Sequence, residues 1–153
     1  MFALAALCCS SQALAAEYLT SVRSEVYQTG GTAKEIATRA GTCISQHLAP
    51  GTVNAQLIIS SDLDGGVIVA RSALEYGGLV QWKIRSNFTF EAREGRFRIV
   101  QTNLERFNDQ FDVGWKPIGA WTSSQWKGAE KAFSTSATVV AQCVINGLKR
   151  ETW

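Results

Sequence analysis

The stretch Val80-Gln81-Trp82-Lys83-Ile84-Arg85-Ser86-Asn87-Phe88-Thr89-Phe90-Glu91 decides the fold. In an extended chain successive side chains point to opposite faces. Val80, Trp82, Ile84, Phe88 and Phe90 therefore fall on one side, and Gln81, Lys83, Arg85, Asn87, Thr89 and Glu91 on the other. Period two held this long describes a strand with one dry face and one wet face, which belongs in an antiparallel sheet. Ser86 interrupts the dry row, and a bulge or bend there would let a long strand curve.

Downstream, Arg93-Glu94-Gly95 is turn chemistry leading into a fourth strand. There Phe97 and Ile99 join the dry face, and Arg96 and Arg98 the wet one. Upstream, Gly77-Gly78 separates the stretch from a second strand over 66–76 that contains Val67-Ile68-Val69-Ala70. A first strand is expected over 53–60, where Val53, Ala55, Leu57 and Ile59 alternate with other residues, and Asp62-Leu63-Asp64-Gly65-Gly66 turns the chain after it. Tyr18, Val22 and Val26 suggest a leading strand within 18–27.

Two helices flank the strands. Thr32-Ala33-Lys34-Glu35 is a capping box. Beyond it Ile36, Ala37, Ala40, Cys43, Ile44, His47 and Leu48 recur at helical spacing, and Pro50-Gly51 stops them, so a helix is expected over 33–48. A second helix, capped by Ser123 or Ser124, carries the stripe Trp126, Ala129, Phe133, Ala137, Val140, Val144 and Leu148. Its last turn holds Lys149 and Arg150, where the helix dipole favours cations. Residues 105–122 are irregular. A sheet with one dry face needs a cover, and these helices are the only candidates. The expected fold is α+β: a four- or five-stranded antiparallel sheet with both helices on one face, in the order β-α-β4-α.

The chain has 153 residues, 46% of them hydrophobic and 18% charged, with 2 prolines. That is one domain with a real core rather than a disordered tail or a disulfide-dense miniprotein. Met1 to Cys9 is apolar, Ser10-Ser11-Gln12 is polar, and Ala13-Leu14-Ala15 fits a signal-peptidase site, although no charged segment precedes the apolar run. Residues 1–15 are therefore read as a signal peptide and 16–153 as a single domain, periplasmic or secreted. Leu7 before Cys8 is the wrong size for a lipobox. No apolar run reaches the ~18 residues of a membrane span. Cys43 and Cys143 remain after the leader. In an oxidising compartment they would pair across a helix–helix seam, or else be two small buried hydrophobes.

Asp64-Gly65-Gly66-Val67-Ile68-Val69 followed by Phe88-Thr89-Phe90-Glu91-Ala92-Arg93-Glu94-Gly95-Arg96-Phe97-Arg98 resembles an uncharacterised bacterial envelope domain family with a TATA-binding-protein-like fold. The likeness spans about residues 30–105. It implies that fold and an envelope location, and it names no chemistry, because the family has no established activity. Members are often lipoproteins, from which this chain departs. The fold's name implies nothing about DNA.

Site chemistry is sparse. One histidine, His47, sits near a helix end and reads as a half-buried structural residue. No nucleophile–base motif, P-loop, dinucleotide fingerprint or metal-ligand spacing is present. Asp62 and Asp64 read as a turn rather than a calcium site. The expectation is a non-enzyme with no cofactor and no metal. The net charge of +2 gives little reason to invoke nucleic acid. What has character is the wet face, where Lys83, Arg85, Arg96 and Arg98 would form a basic patch offset only by Glu91. That patch suits an envelope protein or an anionic ligand, against the plainer reading of a solvated face. The alternative function is a small carrier, with an apolar ligand held between the C-terminal helix and a curved sheet and lined by Trp115, Trp121 and Trp126, against the plainer reading that these tryptophans pack in the core. Oligomeric state is not legible.

Overall fold

A computed structural model describes residues 17–48 and 56–150. The expected leader, residues 1–15, lies outside them, as do 53–55 of the first expected strand and the side chain of Leu148. Along the chain run β1 (Ser21–Arg23), β2 (Tyr27–Gln28), α1 (Ala33–His47), β3 (Ile58–Asp62), β4 (Val67–Gly77), β5 (Gln81–Arg93), β6 (Arg96–Phe107), β7 (Lys116–Pro117) and α2 (Trp126–Arg150). All pairings are antiparallel, in the order β1-β6-β5-β4-β3, and β2 and β7 also pair with β6. The expected leading strand is thus the short β1 and β2.

Alternation sets the two faces as expected. On β5, Ile84, Ser86, Phe88, Phe90 and Ala92 are buried, and on β6 so are Phe97 and Ile99. The irregularity expected at Ser86 is real but sits on its neighbour. The β4–β5 ladder runs unbroken through Ser72↔Ser86, whereas β5–β6 shifts register between Arg85↔Glu105 and Asn87↔Thr102. The extra residue is therefore on β6, where Asn103 takes φ +52°. Gly66, in the turn just before β4, has φ +73°, and a Cβ there would lie 2.4 Å from the Ala92 carbonyl oxygen, so glycine is needed.

Helix α1 begins as its sequence specifies. Thr32 caps it, its hydroxyl accepting from the Glu35 amide at 3.2 Å while the Glu35 carboxylate accepts from the Thr32 amide at 2.8 Å. Helix α2 does not. Ser124 does not cap it, because its hydroxyl donates backwards to the carbonyls of Gly119 and Trp121, and Gln125, at φ +56°, leads into Trp126. The Ser124 carbonyl instead accepts from Arg106.

Both helices pack on the same face of the sheet. Ile36, Ala37, Ala40 and Ile44 of α1 and Ala137, Val140, Ala141 and Val144 of α2 share one apolar cluster with Ile68, Phe88, Phe90, Phe97 and Ile99. A second cluster gathers Ala129 and Phe133 of α2 with Val22, Ile84, Leu104 and Ile118. Between them runs a buried polar belt. The Ser86 hydroxyl donates to Gln101 Oε1 at 2.8 Å, and Gln101 Nε2 donates to the Phe133 carbonyl at 2.7 Å. Each large buried side chain contributes about 1.5–3 kcal/mol relative to exposure.

Cys43 and Cys143 form a disulfide with Cα atoms 5.8 Å apart, stapling α1 to α2. The seam is close there: a Cβ on Gly147 would fall on the Arg39 guanidinium. The bridge closes a loop of sequence separation 100. In the chain-entropy model such a loop stabilises by about 4.7 kcal/mol. Reduction, or a Cys43→Ala/Cys143→Ala variant, should lower the unfolding free energy in urea by an amount of this order; an unchanged midpoint would show that the bridge adds nothing to packing.

Candidate functional site

With both helices on one face, the other is left to the outward residues of the strands. Cross-strand partners share a face, so the register composes this surface rung by rung. Arg93 faces Arg96; Glu91 lies between Val67 and Arg98; Thr89 between Val69 and Val100, with Arg23 of β1 beyond; Asn87 between Arg71 and Thr102; Arg85 between Ala73 and Glu105; Lys83 between Glu75 and Phe107.

The four cations expected to form one patch, Lys83, Arg85, Arg96 and Arg98, all stand on this face, but the structure divides them into two pairs. Arg98 belongs to the Glu91 rung and Arg85 lies six residues further along β5, about 20 Å at the rise of an antiparallel strand. Glu91 is also not their only counter-charge. Arg98 Nε meets Glu91 Oε2 at 2.6 Å, Arg85 Nε meets Glu105 Oε2 at 2.6 Å, and Lys83 Nζ meets Asp109 Oδ2 at 2.9 Å. The Arg85 guanidinium also lies over the Trp115 ring, 4.3 Å from its centroid. Among the described residues Arg96 has no ion-pair partner, and neither do Arg93, Arg71 or Arg23. Arg93 was legible as the next outward position of the β5 alternation. Arg71 and Arg23 enter only through the pairing register.

Two grooves mark the open face. A larger one, about 1080 Å³, lies over the β6 irregularity and is lined by Arg71, Arg85, Asn87, Glu105, Trp115 and Tyr18 among others. A smaller one, about 470 Å³, lies at the β5–β6 turn between Val26, Val67, Glu91, Arg93, Arg96 and Arg98. A third hollow, about 460 Å³, is on the helical side between α2 and the end of β4, lined by Leu74, Tyr76, Gly128, Ala132, Ser136 and Val139, with His47 at its edge. The tryptophan pocket of the carrier alternative does not form among the described residues. Trp115 belongs to the open face, Trp121 is exposed against Tyr18, and Trp126 packs on the second cluster. His47 is exposed rather than half-buried: it is the last residue of α1, and Ile44 and Leu48 carry the buried stripe there instead.

Asp62 accepts from the Gly65 amide at 2.9 Å and Asp64 pairs with Lys34 at 2.9 Å, so both serve the turn and its neighbour. Among the described residues no cluster of His, Cys, Asp and Glu gathers as metal ligands, and no helix is long and apolar enough to cross a membrane.

No family model matches the sequence, and no curated protein does. Solved structures match it in fold. A DUF4468 family protein from Bacteroides ovatus superposes with a TM-score of 0.58 at 13% identity, over 81% of this chain and 85% of that one. A TBP-like protein from Parabacteroides distasonis superposes with a TM-score of 0.52 at 12% identity, over 85% and 90%. The chain has a TBP-like fold, as the resemblance of its central hairpin implies. At such identities the likeness concerns fold alone.

The hydrogen bond from Lys83 to Asp109, and then the attraction between their charges, raises the Lys83 pKa above the usual lysine value. The contact with Asp109 therefore favours the charged form of Lys83 relative to that of a free lysine. Replacing Asp109 by asparagine should lower the Lys83 titration midpoint, measured by NMR of its side-chain resonances; no downward movement would show that the contact is not populated in solution.

Proposed function

We propose that this chain is an exported, non-catalytic binding module whose contacts lie on the helix-free face of its sheet. The observation that supports this best is the one-sided cover. Both helices are spent on the dry face, and the open face keeps two grooves together with arginines that no acid neutralises among the described residues. Such a surface suits an anionic partner, whether an envelope protein or a smaller ligand. Against catalysis stands the placement of the only histidine, His47, at the end of α1 on the opposite side. Export rests on the reading of residues 1–15 and agrees with the disulfide between Cys43 and Cys143.

A photo-crosslinker at Asn87, central on the open face, should capture a partner in the native envelope, whereas one at Lys131 of α2 should not. Arg71→Glu/Arg96→Glu, one change from each groove, should abolish the Asn87 capture. Equal capture from both positions, or capture untouched by charge reversal, would overturn the reading.

One observation favours a carrier as a second reading. The hollow beside α2 is lined mainly by apolar atoms, and the buried Tyr76 hydroxyl on its wall has no hydrogen-bond partner among the described residues. An apolar ligand with one polar atom would satisfy both. Native mass spectrometry of the exported protein should then find such a molecule, and Ala132→Trp, which fills the hollow, should remove it. An empty wild-type protein would end this reading.

A further inference from the structure

The β5–β6 turn carries an arrangement that folding alone does not explain. Arg93 and Arg96 stand directly opposite each other on the open face, across the Glu94-Gly95 turn. Side chains paired in this way are about 5 Å apart at Cβ, and like charges there work against the hairpin. The next rung shows the ordinary solution: Glu91 faces Arg98 and the two meet at 2.6 Å. Neither Arg93 nor Arg96 has such relief among the described residues. Glu94, in the turn itself, makes no ion pair, and Gln28, on the other side of Arg96, is neutral. A sequence shaped only for stability would place an acid in one of the two positions. A locally unfavourable rung in an otherwise consistent hairpin marks a place answering to something outside the chain.

That something is an anion, and its charge can be stated. Arg93, Arg96 and Arg98 line one groove with a single carboxylate, Glu91. Three guanidiniums against one carboxylate leave two positive charges, and a phosphate monoester carries close to two negative ones. The guanidinium fork matches the geometry of phosphate oxygens, and two forks facing each other can bridge one tetrahedral group. The groove also contains Val67 and Val26, the latter 51% exposed, which provide apolar surface beside the charges for the organic part of an ester. Resting on the open face as the binding face, we propose that this groove is a phosphate-monoester site, with Arg93 and Arg96 clamping the phosphate and Arg98, held by Glu91, beside it.

The ester is either a soluble molecule or a lipid head group, and the full oxidised protein distinguishes them. Calorimetry with glycerol 3-phosphate reads the first source. Co-sedimentation with phosphatidylcholine vesicles containing phosphatidic acid, against phosphatidylcholine alone, reads the second. Binding in either arm should weaken by about tenfold or more in Arg93→Gln/Arg96→Gln and stay unchanged in Lys83→Gln, at the far end of the sheet. Arg93→Glu provides a control for folding. It supplies the missing cross-strand acid, so it should lose binding while Tm is unchanged or higher. No binding in either arm, or binding that survives Arg93→Glu, overturns the proposal. If that happens while Arg71→Glu/Arg96→Glu still abolishes capture at Asn87, the open-face reading stands and only the phosphate chemistry fails.

Discussion

The alternation of β5 puts Ile84, Phe88, Phe90 and Ala92 on one side of the sheet, and that side must leave water. A sheet cannot cover its own face, and the amphipathic helices flanking the strands each have one stripe to bury. The cheapest arrangement brings both stripes to the same floor, and the rest of the architecture follows from it. The helices become neighbours, with Gly147 against the Arg39 side chain, and Cys43 meets Cys143 across their seam. The opposite face carries no helix among the described residues and is composed of the outward side chains of the strands.

The floor is not uniformly apolar. Ser86 and Gln101 cross it and divide the core into two clusters, and their hydrogen bonds end on the Phe133 carbonyl of α2. A buried polar group is costly unless it is paired, so this chain of bonds favours one placement of α2 over the sheet where packing of aliphatic side chains alone would tolerate several. The belt lies level with the register shift of β6, so the position at which the sheet is irregular is also the one at which its cover is fixed.

On the open face, charge is organised by register. Exposed ion pairs such as Arg85–Glu105 and Arg98–Glu91 contribute little individually, of order 0–1 kcal/mol, yet they decide which guanidiniums remain unengaged. That selection moves the character of the face away from Lys83 and Arg85 and towards the β5–β6 turn and Arg71.

Period two in β5 and β6, the helical stripes and the Thr32–Glu35 capping box are local patterns, and they determined the α+β class, the element order, the start of α1 and the division into a dry and a wet face. Even the pairing of Cys43 with Cys143 was within reach, because two helices on one floor leave few places for their late turns. Other features were set by contacts between residues far apart in the chain. The start of α2 depends on Arg106 and on Ser124 turning back to Gly119, so cap chemistry at Ser123 or Ser124 misleads. Which strand bears the irregularity, where the tryptophans go, and which cations are neutralised depend on register, and a side chain's cross-strand neighbour is not written in its own segment. A strand's periodicity says which way each side chain points; only the assembled sheet says what it meets there.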